Sequence, residues 1–192
     1  MDECQCRGIE VAGAAVISMK VLVAYMSKTG NTKKVAEAIY SEISHEKEIK
    51  RIEKVTDISP YDFFFLGFPM RQFGPDKKSK ELIKKFCPGG KKVALFVTHG
   101  SPENGEELPK WLDSFRQATA GADLVGMFDC QGQMSGVVKF FLRTSRNPKH
   151  RMWAKMDSSQ GKPDAPRLEK ARAFARETML ELEKSGAVST KR

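Results

Sequence analysis

The chain has 192 residues, 40% of them hydrophobic and 30% charged, with a net charge of +9. That length suits one domain with a full core, and no apolar run reaches the roughly 20 residues that span a bilayer. Its four cysteines show no paired framework, which argues against a disulfide-built secreted fold and for a reducing, cytoplasmic compartment.

The chain opens on Asp2 and Glu3 where a signal peptide carries basic residues, and the mildly apolar stretch Ile9–Met19 is short. Cys4-Gln-Cys6 has no further ligands at metal-site spacing, so no metal is assigned. Residues 1–18 are expected to be a non-native or disordered extension ahead of a single domain over 19–184 and a frayed tail over 185–192.

Lys20–Tyr25 is a short Val/Leu-rich run, the pattern of a strand buried on both faces. Ser27-Lys-Thr-Gly-Asn-Thr32 follows, with hydroxyls around one glycine, and then Val35, Ala36, Ile39, Tyr40 and Ile43 recur at helical spacing. A strand, a hydroxyl-rich glycine loop and a helix start make a phosphate seat, because N–H groups at a helix N-terminus point at an anion. The plainer alternative is a capped helix with Asn31 or Thr29 as N-cap. The loop is neither a P-loop nor a G-x-G-x-x-G turn.

Glu48–Val55 alternates Ile49, Ile52 and Val55 with charges and predicts a charge-protected edge strand. Phe63–Leu66 is a continuous apolar run ended by Gly67-Phe-Pro69, and a helix over Asp76–Phe86 follows. Lys92–Thr98 predicts a buried strand, Glu106–Ala118 a helix with Leu108, Trp111, Leu112 and Phe115 on one side, and Asp123–Cys130 a fifth strand. Arg167–Lys184 predicts a long closing helix. Repeated strand–helix alternation implies a parallel sheet covered on both faces.

Ser-x-Thr-Gly-x-Thr directly after the first strand resembles the FMN phosphate loop of the flavodoxin family. Gly-x-Pro after the third strand and Thr-x-Gly after the fourth resemble its ring-binding loops. The resemblance covers roughly residues 19–132 and 166–184. It implies a five-stranded doubly wound sheet in the order 2-1-3-4-5, with the crevice at the carboxyl ends of the strands. It implies FMN as cofactor, with Ser27, Lys28, Thr29, Gly30, Asn31 and Thr32 at the phosphate. Phe68, Pro69, Phe73, Thr98, His99, Gly100, Cys130 and Gly132 are expected near the ring. His99 and Arg71 are candidates for orienting or protonating a substrate. His99 is otherwise a surface loop histidine, Phe68 a seal on the sheet end, and Cys130 a buried small hydrophobe.

Residues 135–166 interrupt the expected short passage to the last helix and are read as a long basic insert. From Lys139 to Lys162 there are seven Lys/Arg against one Asp. Arg146, Lys149, Arg151 and Trp153 are the candidate substrate or partner contacts, with Phe140 and Trp153 as apolar cover. Electron-carrying members of the family are typically acidic, so the charge here is unusual. A cation about 8 Å from a reduced, anionic flavin, at an effective dielectric of about 20, contributes about 2 kcal/mol before screening. The reading is an FMN-dependent oxidoreductase acting on a small anionic, quinone-like or tetrapyrrole-like substrate. The alternatives are an electron-transfer protein serving an acidic redox partner, and a flavin-free interaction or membrane-surface module. No nucleic-acid module is recognisable, so none is expected as partner.

Overall fold

The computed structural model describes residues 19–87 and 89–189. Expectations about residues 1–18 lie outside them. The first half alternates regularly: β1 (Lys20–Tyr25), α1 (Asn31–Glu42), β2 (Glu46–Arg51), β3 (Phe63–Pro69), α2 (Lys77–Phe86) and β4 (Lys92–His99). Then come α3 (Leu108–Ala118), β5 (Asp123–Gln131), α4 (Gly136–Thr144), α5 (Pro148–Lys155) and α6 (Ala165–Ser189).

The strands form one five-stranded sheet in the order β2-β1-β3-β4-β5. Every pairing is parallel, with Val21 opposite Phe63, Phe63 opposite Lys92 and Lys92 opposite Asp123. The sheet order and fold class are those the family resemblance implied.

The continuous apolar runs follow from burial of both sheet faces. Along β3, Phe64, Leu66 and Phe68 join one core cluster with Ile83 and Phe86 of α2 and with Leu112 and Phe115 of α3. Phe63 and Phe65 join the other with Val35, Ala36 and Ile39 of α1 and with Ala171, Ala175 and Met179 of α6. At Gly67 an added Cβ would fall inside the Phe96 ring on β4, so no larger residue fits there. Arg176 reaches Glu42 at 2.8 Å and Glu169 at 2.9 Å, which helps seat α6 on α1.

Three segments differ from the sequence expectation. The edge strand starts earlier, at Glu46, and Ile52–Lys54 turns into a 3₁₀ helix that buries Ile52 instead of extending to Val55. The last helix continues past Lys184 to Ser189, since no proline follows and a glycine in a helix costs only about 1 kcal/mol. The basic insert is not an irregular loop: α4 and α5 occupy most of it. Ser135 caps α4, its hydroxyl accepting from Val138 N–H at 3.3 Å. Asn147 caps α5, accepting from Lys149 N–H at 2.9 Å, with Pro148 in the first turn where its missing donor does no harm.

Candidate functional site

Because all strands run the same way, the loops after β1, β3, β4 and β5 share one edge of the sheet. Hydrogen bonds tie them together there. Met70 N–H donates to the Thr98 carbonyl at 2.7 Å, and Gly132 N–H to that of His99 at 2.8 Å. The Thr32 and Thr98 hydroxyls bond at 2.8 Å, and the Asn31 side-chain amide donates to the Gln133 carbonyl at 2.8 Å. A Cβ on Gly132 would lie 2.6 Å from that Asn31 amide, so glycine is needed for the close approach.

The first loop turns on Gly30, whose φ of 94° is in the left-handed region that glycine adopts without strain. Gly30, rather than Asn31 or Thr29, occupies the N-cap of α1, and its N–H donates to the Ser27 hydroxyl at 3.1 Å. The Ser27 carbonyl is in turn held by the Arg51 guanidinium at 3.0 Å. Among the described residues, no acceptor meets the N–H groups of Thr29, Asn31, Thr32 or Lys33. These are the orphan donors of a helix start, and they are the donor set a phosphate needs. The first turn carries Lys33 and Lys34 and no acidic residue, the reverse of the usual helix preference and favourable to a bound anion. Lys28 and Thr29 are exposed, whereas Thr32 is buried.

The third-strand loop is a tight turn. Arg71 and Gly74 exchange backbone hydrogen bonds at 3.0 and 3.2 Å. Between them Gln72 (φ 50°) and Phe73 (φ 66°) are both left-handed, which costs of order 1–2 kcal/mol per non-glycine residue. Arg71 donates to Asp76 at 2.9 Å, and Asp76 caps α2 by accepting from the Ser79 N–H at 2.8 Å and hydroxyl at 2.6 Å. Burial disfavours the ionised Asp76, but the Ser79 bonds and the Arg71 charge outweigh it and hold its pKa below the usual value. The turn pushes out Phe73, 48% exposed, against Trp111 of α3 and Trp153 of α5 at centroid distances of 4.7 and 5.7 Å.

This arrangement has counterparts among known proteins. Residues 22–176 match the family model of the flavodoxin domain. A flavodoxin-like domain-containing protein, BilS, of Clostridioides difficile (strain CD3) is 33% identical over 173 residues, covering 84% of this chain and 97% of the relative. The chain belongs to the flavodoxin family. Solved flavodoxins share the fold at low identity. An archaeal one has a TM-score of 0.53 at 18% identity, with 86% of this chain and 99% of that chain covered. A short-chain flavodoxin associated with a non-canonical PDU bacterial microcompartment has a TM-score of 0.55 at 15% identity, with the same coverage of 86% and 99%. With the family comes its cofactor, FMN, and the unpartnered N–H groups at the start of α1 suit the FMN phosphate.

Not every residue expected at the flavodoxin crevice faces it. Phe68 is fully buried, on the same side of β3 as Phe64 and Leu66, and packs in the core instead of against a ring. Thr98 is buried with its hydroxyl on Thr32, so it joins loops rather than lining the opening. His99 is turned inward with both ring nitrogens engaged, Nδ1 with the Ser101 carbonyl and Nε2 with Asp129, each at 3.0 Å. Cys130 lies in the core, where burial pushes its thiol up to about 12. Pro69 and Gly100 stay partly exposed, and Gly100 lies under Met134 of the fifth-strand loop.

Two groups at the site are ones that sequence reasoning missed. Trp111 reads as one more apolar helix position, yet Leu112 and Phe115 fill the core while Trp111 meets Phe73. The second is a clasp between the fifth-strand loop and the far end of the insert. Lys162 donates its ammonium to the Gln131 side chain at 2.7 Å, and its carbonyl accepts from Gln133 N–H at 2.9 Å. The Ser159 hydroxyl accepts from Met134 N–H at 2.8 Å. Among the sequence-named insert residues, Trp153 reaches the Phe73 turn, while Arg146, Lys149 and Arg151 lie exposed on or between α4 and α5.

Proposed function

We propose that this flavodoxin-family chain is an FMN redox protein that passes electrons to another protein. When bound, FMN takes up and releases electrons singly or in pairs. Residues Ser27–Thr32 hold its phosphate through backbone donors and the exposed Thr29 hydroxyl. Pro69–Gly74 and Gly100 would flank its ring, with Phe73 offering an aromatic face.

The observation that favours transfer over substrate chemistry is the engagement of the candidate acid–base groups His99, Arg71 and Cys130. Acid–base catalysis needs a side chain free to reach the reacting atom. His99 has both nitrogens bonded, Arg71 is paired with Asp76, and Cys130 is a buried, protonated thiol. Electron transfer needs none of them.

A second reading, reduction of a small anionic, quinone-like or tetrapyrrole-like substrate, draws on the aromatic group Phe73, Trp111 and Trp153 beside the cationic insert. The deciding experiment begins with release and chromatography of the bound flavin, expected to give FMN. The anaerobically reduced protein is then mixed with a quinone, a carboxylated tetrapyrrole and a haem-protein acceptor. Fast transfer to the haem protein, with slow and non-saturating reaction of the small molecules, is expected. Saturable turnover of a small molecule supports the second reading, and a protein that takes up no flavin defeats both.

A further inference from the structure

The insert helices carry the least buried apolar surface of the described chain. Val137, Phe140 and Phe141 on α4 are 66, 63 and 67% exposed, and Met152 on α5 and Met156 just after it are 48 and 66% exposed. None of the residues of α4 is buried, and α4 packs mainly on α5. Soluble surfaces rarely leave so many large apolar side chains together without a use.

The charge around them is of one sign. From Gly136 to Lys155 there are six Lys/Arg and no Asp or Glu. Lys139 is paired with Asp157 at 2.8 Å, which anchors α4 to the returning chain. Among the described residues, Arg143, Arg146, Lys149, Arg151 and Lys155 meet no carboxylate. Arg151 bonds only the Ser145 and Arg146 carbonyls, at 2.7 and 3.0 Å, which fixes the α4–α5 corner. This face is therefore apolar with a cationic rim lacking its counter-charges. Phe, Met and Arg are the residue types enriched where proteins meet.

Its place decides the kind of occupant. Trp153 touches the Phe73 turn, and the Lys162 and Ser159 bonds hold the insert's end to the fifth-strand loop. A molecule seated on α4 and α5 thus lies beside the crevice. Resting on the redox reading above, we propose that α4 and α5 are the docking face for an acidic redox protein, whose carboxylates meet Arg143, Arg146, Lys149 and Lys155 around an apolar centre on Phe140 and Phe141. This polarity is opposite to that of an acidic electron carrier, so the face also discriminates against basic partners.

The test uses the full-length holoprotein and two haem proteins of opposite charge, acidic cytochrome b5 and basic cytochrome c. After reduction with dithionite and removal of the excess, each transfer moves one electron from the reduced flavin to one ferric haem, which becomes ferrous. Stopped-flow rates with cytochrome b5 are expected to fall about tenfold or more between low and high salt, while cytochrome c shows no such fall. Arg146→Glu/Lys149→Glu is expected to slow cytochrome b5 about tenfold at low salt, with FMN content unchanged. Phe140→Ser/Phe141→Ser alters only exposed side chains and is expected to weaken cytochrome b5 binding, read by calorimetry, by a similar factor. Calorimetry needs no flavin, so a chain that fails to bind FMN sinks the redox reading while still testing the face. Equal rates for both haem proteins, or variants that bind cytochrome b5 like the parent, overturn the proposal. So does cosedimentation with phosphatidylserine vesicles that the same variants lose, or a self-association that they abolish.

Discussion

Thr29 and Thr32 share a motif but have different surroundings. Thr29 is exposed at the phosphate loop, so Thr29→Ala is expected to weaken FMN by about 1–3 kcal/mol, as for a lost bond to a charged group, and to leave the melting temperature of the flavin-free protein unchanged. Thr32 is buried on Thr98. Thr32→Val therefore leaves the Thr98 hydroxyl without its partner and is expected to lower stability by about 1–3 kcal/mol even without flavin. Flavin titration and denaturant unfolding of the two variants separate the roles. Asp76 gives a pH-dependent counterpart. Its folded pKa lies below the unfolded value of about 3.9, so its contribution is fully present above that value and lost as pH falls through the depressed one. Asp76→Ala is expected to cost about 1 kcal/mol at neutral pH, a gap that closes in acid; unfolding curves at neutral and acid pH measure it. The loop that turns on Gly30 into the start of α1 could be read from sequence because its determinants sit within a few residues of one another. Phe68 needed the pleat: it shares parity with Phe64 and Leu66, so it points into the core with them. His99 was beyond reach, since its partner Asp129 comes from another strand.

Elements with strong local signals were placed well, and those set by distant contacts were not. β1, β3 and β4 are continuous apolar runs, and the long stripe of α6 is unmistakable. The insert misled because its apolar residues face outward, so they match no core-facing stripe. Its local punctuation was nonetheless present, in Ser135 before α4 and Asn147-Pro148 before α5. α5 depends on that cap more than a core helix would, because Ala154 is its one buried residue. Asn147→Ala is expected to destabilise α5 by about 1 kcal/mol, while the cooperative melting of the sheet stays where it was. Hydrogen exchange should quicken over residues 136–155 alone, and Trp153 emission should shift to the red as it leaves Phe73 and Trp111.

In the molecule as a whole, a tightly buried core carries an exposed insert of two short helices. The sheet and its helices enclose the core, including Cys87 and Cys130, whose thiols burial pushes up to about 11 and 12. Both stay protonated at neutral pH, so in a chain beginning at Met19 neither is expected to react with a thiol reagent until denaturant unfolds the sheet. Early labelling of either would show that the core opens locally. The insert sits outside this core but is fastened to it. Gln133 is where the two meet: its carbonyl takes the Asn31 amide beside the phosphate seat, its N–H donates to Lys162, and its side chain accepts from Gly161 N–H at 3.2 Å. One residue thus has a hand on the proposed phosphate seat and on the helices that would receive a visitor. Ordering one end is therefore expected to order the other, and thermodynamic reciprocity makes the two effects equal. Saturating cytochrome b5 is expected to tighten FMN by the same factor that FMN tightens cytochrome b5. Gln133→Gly, which removes the side-chain link to Gly161, is expected to shrink both factors together.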